Sequence, residues 1–106
     1  DAPSGTAIKT ASMIHAARKT IPPMPECKET MSGARGANYE NIPIHSIRLP
    51  GFLAHQQVIF GSTGESLTIK HDSINRACFM NGVMLACQKV IELNELIYGL
   101  ENILFV

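Results

Sequence analysis

The chain has 106 residues, 45% hydrophobic and 17% charged, and its nine basic residues are balanced by nine acidic ones. That is the make-up of one ordinary globular domain, and without a basic stripe or a like-charge block neither nucleic acid nor an anionic membrane surface is an expected partner. No apolar run reaches the ~20 residues of a membrane-crossing helix, and the polar, turn-like opening does not read as a signal peptide.

A first helix is predicted from Gly5 to about Thr20. Ala7, Ala11, Ile14, Ala17 and Ile21 recur at helical spacing, and Arg18 and Lys19 place positive charge at its C-terminal end. Pro22 and Pro23 stop it, and Pro25 prolongs the break. Residues 22–41 read as one long loop, punctuated by Pro, Gly and Asn. Ile42–Leu49 reads as a strand, Pro50-Gly51 as the centre of a type II turn, and Phe52–Phe60 as a second strand. A tight hairpin there sets His45 opposite Gln56 and Ser46 opposite His55, with the two histidines on opposite faces. Gly61–Glu65 reads as another turn and Ser66–His71 as a third strand, giving an antiparallel meander of at least three strands. Asp72 or Ser73 is the expected cap of a second helix, whose stripe Phe79, Val83, Ala86, Val90, Leu93 and Ile97 runs for about five turns as a core face. Gly99 ends it, and Leu100–Val106 is an apolar tail.

The expected class is α+β: a small mixed or antiparallel β-sheet with two long α-helices on one face. Both faces of Phe52–Phe60 carry apolar side chains, so the second face is expected in an oligomer interface, with the 22–41 loop as the competing cover. Cys27, Cys78 and Cys87 show no Cys-x-x-Cys pair. They read as free thiols of a reducing compartment, so a cytoplasmic location is expected and a metal site is not. His15, beside polar neighbours, is expected in solvent.

The most informative segment is Asp1-Ala2-Pro3-Ser4-Gly5-Thr6-Ala7. Pro3 fixes its own φ and Ser4 is a preferred N-cap residue. The amides of Gly5, Thr6 and Ala7 have no partner inside the helix, which makes its positive end a ready carboxylate or phosphate site. Gly5 lets a ligand approach the backbone, and the Thr6 hydroxyl adds a donor. The competing reading is an ordinary cap that holds water.

This string resembles the end of the substrate loop of dihydrodipicolinate reductase, a pyridine-nucleotide enzyme of diaminopimelate and lysine biosynthesis. Ile44-His45-Ser46-Ile47-Arg48-Leu49-Pro50-Gly51, Ala54-His55-Gln56 and Val58-Ile59-Phe60-Gly61 resemble that family's central hairpin. Leu67-Thr68-Ile69, His71-Asp72-Ser73, Arg76, Phe79 and Gly82 resemble its strand-to-helix passage, and Gly99-Leu100-Glu101-Asn102-Ile103-Leu104 its closing segment.

The resemblance implies an oxidoreductase in which NADPH or NADH delivers hydride to a cyclic, unsaturated dicarboxylate. Residues 1–106 correspond to the substrate-binding and oligomerisation domain, and a preceding dinucleotide-binding domain would hold the cofactor. Ser4, Gly5 and Thr6 are the implied substrate-carboxylate site. The family's His-His pair and proton-donating Lys fall just before Asp1, so no catalytic residue is expected within the chain and the isolated fragment is expected to be inactive. A homotetramer joined through the sheet is also implied. Arg48, Arg76 and His71 match family positions and read as structural. The nearest glycine cluster, Gly33-Ala34-Arg35-Gly36, lacks the Gly-x-Gly-x-x-Gly spacing of a dinucleotide loop. The alternative function is a non-catalytic anion-binding and oligomerisation module.

Overall fold

The computed structural model describes residues 1–105. The chain forms two compact units, Asp1–Pro50 and Gly51–Val106.

The first unit comprises helix α1 (Gly5–Ala17) and a hairpin of strands β1 (Ala37–Tyr39) and β2 (Ile42–Ile44). The helix packs on this hairpin. Ala11 is the buried hydrophobic residue at 3% exposure, and the His15 ring meets Tyr39 edge-on at 6.4 Å between centroids. The helix ends at Ala17, three residues before the expected Thr20. Proline has no N–H, so Pro22 and Pro23 cannot serve the carbonyls of Arg18 and Lys19. Arg18 already leaves the helix with ψ at 136° and closes it by donating its amide to the Ile14 and His15 carbonyls.

The expected 22–41 loop contains β1. Tyr39 pairs with Ile42 across a two-residue turn in which Glu40 and Asn41 have φ of 47° and 62°. Two successive left-handed residues make the type I′ turn that matches strand twist. Asn38 Oδ1 accepts the Asn41 amide at 2.8 Å, and Asn41 Nδ2 donates to the Pro22 carbonyl at 3.1 Å, which ties the proline-rich stretch to the hairpin. Gly36 enters β1 at φ +70°, and a Cβ there would collide with the Ile44 carbonyl. Both the left-handed backbone and the close approach demand glycine. Gly36→Ala is therefore expected to lower stability by about 1–3 kcal/mol, read as a fall in the urea midpoint. An unchanged midpoint would show that the hairpin relaxes around the methyl group.

The second unit holds strands β3 (Ala54–Ser62) and β4 (Glu65–Ser73), one turn of 3₁₀ helix (Arg76–Phe79), helix α2 (Met80–Val90) and a short helix α3 (Glu101–Leu104). β3 and β4 pair antiparallel from Ser62↔Glu65 to Ala54↔Ser73. The α+β class holds, with helices beside small antiparallel sheets, but the expected three-stranded meander does not form: the sheets are the separate pairs β1–β2 and β3–β4. Gly51 does adopt φ +85°, as a type II turn requires, yet no strand pairing flanks it. Pro43 explains this. It lies within β2 opposite Asn38 and has no N–H, which confines β2 to a sheet edge and bars it from a central place between two partners.

The second helix also departs from expectation. Asp72 and Ser73 belong to β4; Asn75 caps the intervening 3₁₀ turn, its Oδ1 accepting the Ala77 amide at 2.8 Å, and α2 itself follows Phe79 without a side-chain cap. Ser73 is 1% exposed, with its hydroxyl 3.0 Å from Cys78 Sγ. α2 stops at Val90 rather than running to Ile97, and Glu92 and Leu93 donate to the Lys89 and Val90 carbonyls in a tightened last turn. The consecutive β-branched pair Val90-Ile91 disfavours further helix. The expected core stripe is not buried: Phe79, Val83 and Val90 are 44%, 48% and 59% exposed. Of the expected apolar tail, residues 101–104 form α3, and Val106 lies outside the described residues.

Candidate functional site

The start of α1 is built as a cap with spare donors. Ser4 is extended (φ −67°, ψ 154°); its Oγ accepts the Ala7 amide at 3.2 Å and its carbonyl accepts the Ile8 amide at 3.1 Å. This corrects the expectation that three amides stand open. Ala7 is served by the cap, while the Gly5 and Thr6 amides have no partner among the described residues. Because the Ser4 oxygen accepts, its proton stays available to a ligand. The Thr6 carbonyl accepts from Thr10 Oγ1 at 2.9 Å. Ser4, Gly5 and Thr6 are all exposed, so an approaching anion meets two amides and two hydroxyls on one turn.

No acidic residue occupies the first turn of α1, so the positive end of the helix is not neutralised by its own side chains. A Cβ built on Gly5 meets nothing within 4 Å, and its φ is not left-handed. Nothing inside the molecule requires glycine there. The open space leaves room for a group approaching from outside. Leading into this turn, the Ala2–Pro3 peptide is cis. Arg48 Nη2 donates to the carbonyl of Asp1, and Nη1 donates to the Ile47 carbonyl at 3.0 Å.

The histidines are dispersed. His15 is half-buried against Tyr39 rather than in solvent, with Nδ1 enclosed and without a hydrogen-bond partner among the described residues. His45 lies just beyond β2. His71 sits on β4 opposite Gln56 instead of at a helix start, and Arg76 opens the 3₁₀ turn. His55 lies opposite Asp72, not Ser46, and its Nδ1 is 2.6 Å from Asp72 Oδ1. Lys70 Nζ reaches the other carboxylate oxygen at 3.4 Å, and Phe52 stacks on the imidazole at 4.1 Å. This pair was not anticipated, although counting outward from a turn at Thr63-Gly64 finds it.

The hydrogen bond from His55, helped by Lys70, holds the Asp72 carboxyl below its ordinary value of 3.8. A carboxyl depressed in the folded state adds stability above its unfolded pKa and loses it as pH falls through the folded value. Asp72→Asn should therefore lower the urea midpoint at pH 7, and the gap to the parent should close in acid below the ordinary carboxylate range. A gap that is constant with pH would assign the loss to packing instead of charge.

Comparison with known proteins then decides the family. The profile of the family described as dihydrodipicolinate reductase, C-terminus, matches residues 1–104. The chain belongs to the dihydrodipicolinate reductase C-terminal family. It is 60% identical over 104 residues to 4-hydroxy-tetrahydrodipicolinate reductase of Legionella pneumophila subsp. pneumophila, covering 98% of this chain and 43% of that protein. The reductase of Geobacillus thermodenitrificans is 59% identical over 105 residues, covering 98% and 40%. The solved structure of dipicolinate-bound dihydrodipicolinate reductase from Paenisporosarcina sp. TG-14 superposes with a TM-score of 0.85 at 57% identity, again over 98% of this chain and 40% of the other. The chain thus spans about two fifths of the length of these reductases.

Proposed function

We propose that this chain is the C-terminal, substrate-gripping and subunit-joining part of an NAD(P)H-dependent 4-hydroxy-tetrahydrodipicolinate reductase of lysine biosynthesis. The observation that carries the reading is the Ser4 cap, which leaves the Gly5 and Thr6 amides open on a helix end without acidic residues. That a relative of 57% identity binds dipicolinate, a ring bearing two carboxylates, supports it.

In this reading the Gly5 and Thr6 amides and the Thr6 and Ser4 hydroxyls hold one carboxylate of the ring. Hydrogen bonds to a charged group contribute roughly 1.5–3 kcal/mol each, and a partly buried helix end adds up to ~2 kcal/mol. The chain's part in the reaction is orientation: a small, flat dianion held at one edge presents a fixed face to the hydride source. NADPH or NADH supplies the hydride. The residues of this chain do not fit it. Gly33 and Gly36, at φ of 82° and 70°, are spent on the turn into β1, with Gly36 pressed on Ile44, so they form no phosphate cradle. We assign nucleotide binding and proton donation to the part of the protein that corresponds to the rest of the relatives' length, and a cytoplasmic location follows from the biosynthetic role.

Subunit joining rests on unburied apolar surface. The register puts Val58, Phe60, Leu67 and Ile69 on one face of the β3–β4 pair, and Leu67 and Ile69 are each 59% exposed. A second copy seated on that face, in a homotetramer, would remove it from water.

Thr6→Val tests the site. It keeps the shape and removes the hydroxyl donor. In the full-length protein, calorimetric titration with pyridine-2,6-dicarboxylate should show binding weakened by roughly 1–3 kcal/mol. Unchanged affinity would remove Thr6 from the site.

A further inference from the structure

We infer that Arg48 is a positioning residue for the carboxylate-binding amides, holding the backbone that leads into the Ser4 cap. The inference rests on the reading of Ser4, Gly5 and Thr6 as the carboxylate site.

Two hydrogen bonds carry it. Arg48 Nη2 donates to the Asp1 carbonyl, 47 positions away in sequence, and Nη1 donates to the Ile47 carbonyl at 3.0 Å. One planar group thus bridges the segment after β2 and the segment before α1. Between the pinned carbonyl and the cap stand only Ala2 and Pro3. Proline fixes its φ, and so short a span has little slack. A displacement at Asp1 therefore carries through to Ser4 and the Gly5 amide.

Residue chemistry agrees. A guanidinium presents donors in a rigid fork and serves two carbonyls at once, whereas an ammonium is a point charge that cannot hold both in one plane. Arg48 is exposed, so it fills no core, and losing it opens no cavity. Both terminal nitrogens are committed to backbone oxygens. These two bonds place its action on the loop. Misplacing a reacting or gripping group by about 1 Å can cost up to two orders of magnitude in rate, so a support of this kind matters out of proportion to its burial.

The experiment compares Arg48→Met, Arg48→Lys and Thr6→Val in the full-length protein. Each is titrated with pyridine-2,6-dicarboxylate, and each is assayed for KM of the dicarboxylate substrate, KM of the nucleotide and thermal midpoint. Arg48→Met should lose about tenfold in dipicolinate affinity and raise the substrate KM to match, with nucleotide KM and thermal midpoint close to the parent. Arg48→Lys, which keeps one of the two contacts, should fall between them. The Gly5 and Thr6 amide NMR signals should shift in the unliganded Arg48→Met protein. Parental affinity in Arg48→Met alongside weakened binding in Thr6→Val overturns the role of Arg48 and leaves the site standing. Parental affinity in both variants overturns the site and the positioning role together. Equal losses in both KM values with a collapsed thermal midpoint, in the Met and Lys variants alike, would make Arg48 a general structural residue and overturn the inference too.

Discussion

Gly5→Val is expected to weaken dipicolinate binding by roughly two orders of magnitude and to leave the fold intact. The two halves of this expected result have separate causes. Inside the molecule position 5 is open, its backbone is not left-handed, and a Cβ meets nothing within 4 Å. Valine at a first helical position costs only a few tenths of a kcal/mol relative to better helix formers, and the stiffer unfolded chain returns part of that. Outside the molecule the methyl groups would stand over the Gly5 and Thr6 amides, where the proposed site seats a carboxylate. Losing two charged hydrogen bonds removes about 3 kcal/mol or more, roughly two orders of magnitude in affinity. Calorimetry on the full-length protein reads the first half and urea denaturation the second. Parental affinity in this variant would move the ligand to another part of the protein.

If the β3–β4 face joins subunits as proposed, Ile69→Lys is expected to convert the oligomer to a smaller species. Ile69 pairs with Val58 and shares its face with Phe60 and Leu67. In the proposed interface a second copy covers this patch, and an ammonium at its centre would lose hydration without gaining a partner, a penalty of several kcal/mol that counts once per copy. Light scattering behind a sizing column gives the mass. Thr68→Lys, on the opposite face of the same strand, is the control and should leave the mass unchanged. If Ile69→Lys keeps the parental mass, this face is not where subunits meet.

Short-range rules read this chain well and competing strand pairings less well. The Ser4 cap and the start of α1 were legible because capping depends on the few residues around it. The β3–β4 hairpin was legible from the Gly61–Glu65 turn and the apolar residues beside it, though its strands extend to Ser62 and Ser73. The β1–β2 hairpin was missed because Glu40-Asn41 is a poor advertisement for a type I′ turn, in which glycine is expected. Its formation decided the fate of β2, and Pro43 was the overlooked sign that Ile42–Ile44 could not be a central strand. The donor array at Ser4–Thr6 was legible, but its count of free amides was not, since that turns on which amide the Ser4 oxygen selects. The support from Arg48 joins residues 47 positions apart and leaves no periodic trace.

The Glu40–Asn41 bend has a consequence for how the first unit forms. A non-glycine residue in the left-handed region costs about 1 kcal/mol, so this bend opposes closure of its own hairpin. A 13-residue helix is equally marginal by itself in water. Each piece is marginal alone, so α1 and the β1–β2 ribbon packed against it stabilise one another, and the order of the turn at Ser4 is tied to a bend far away in sequence.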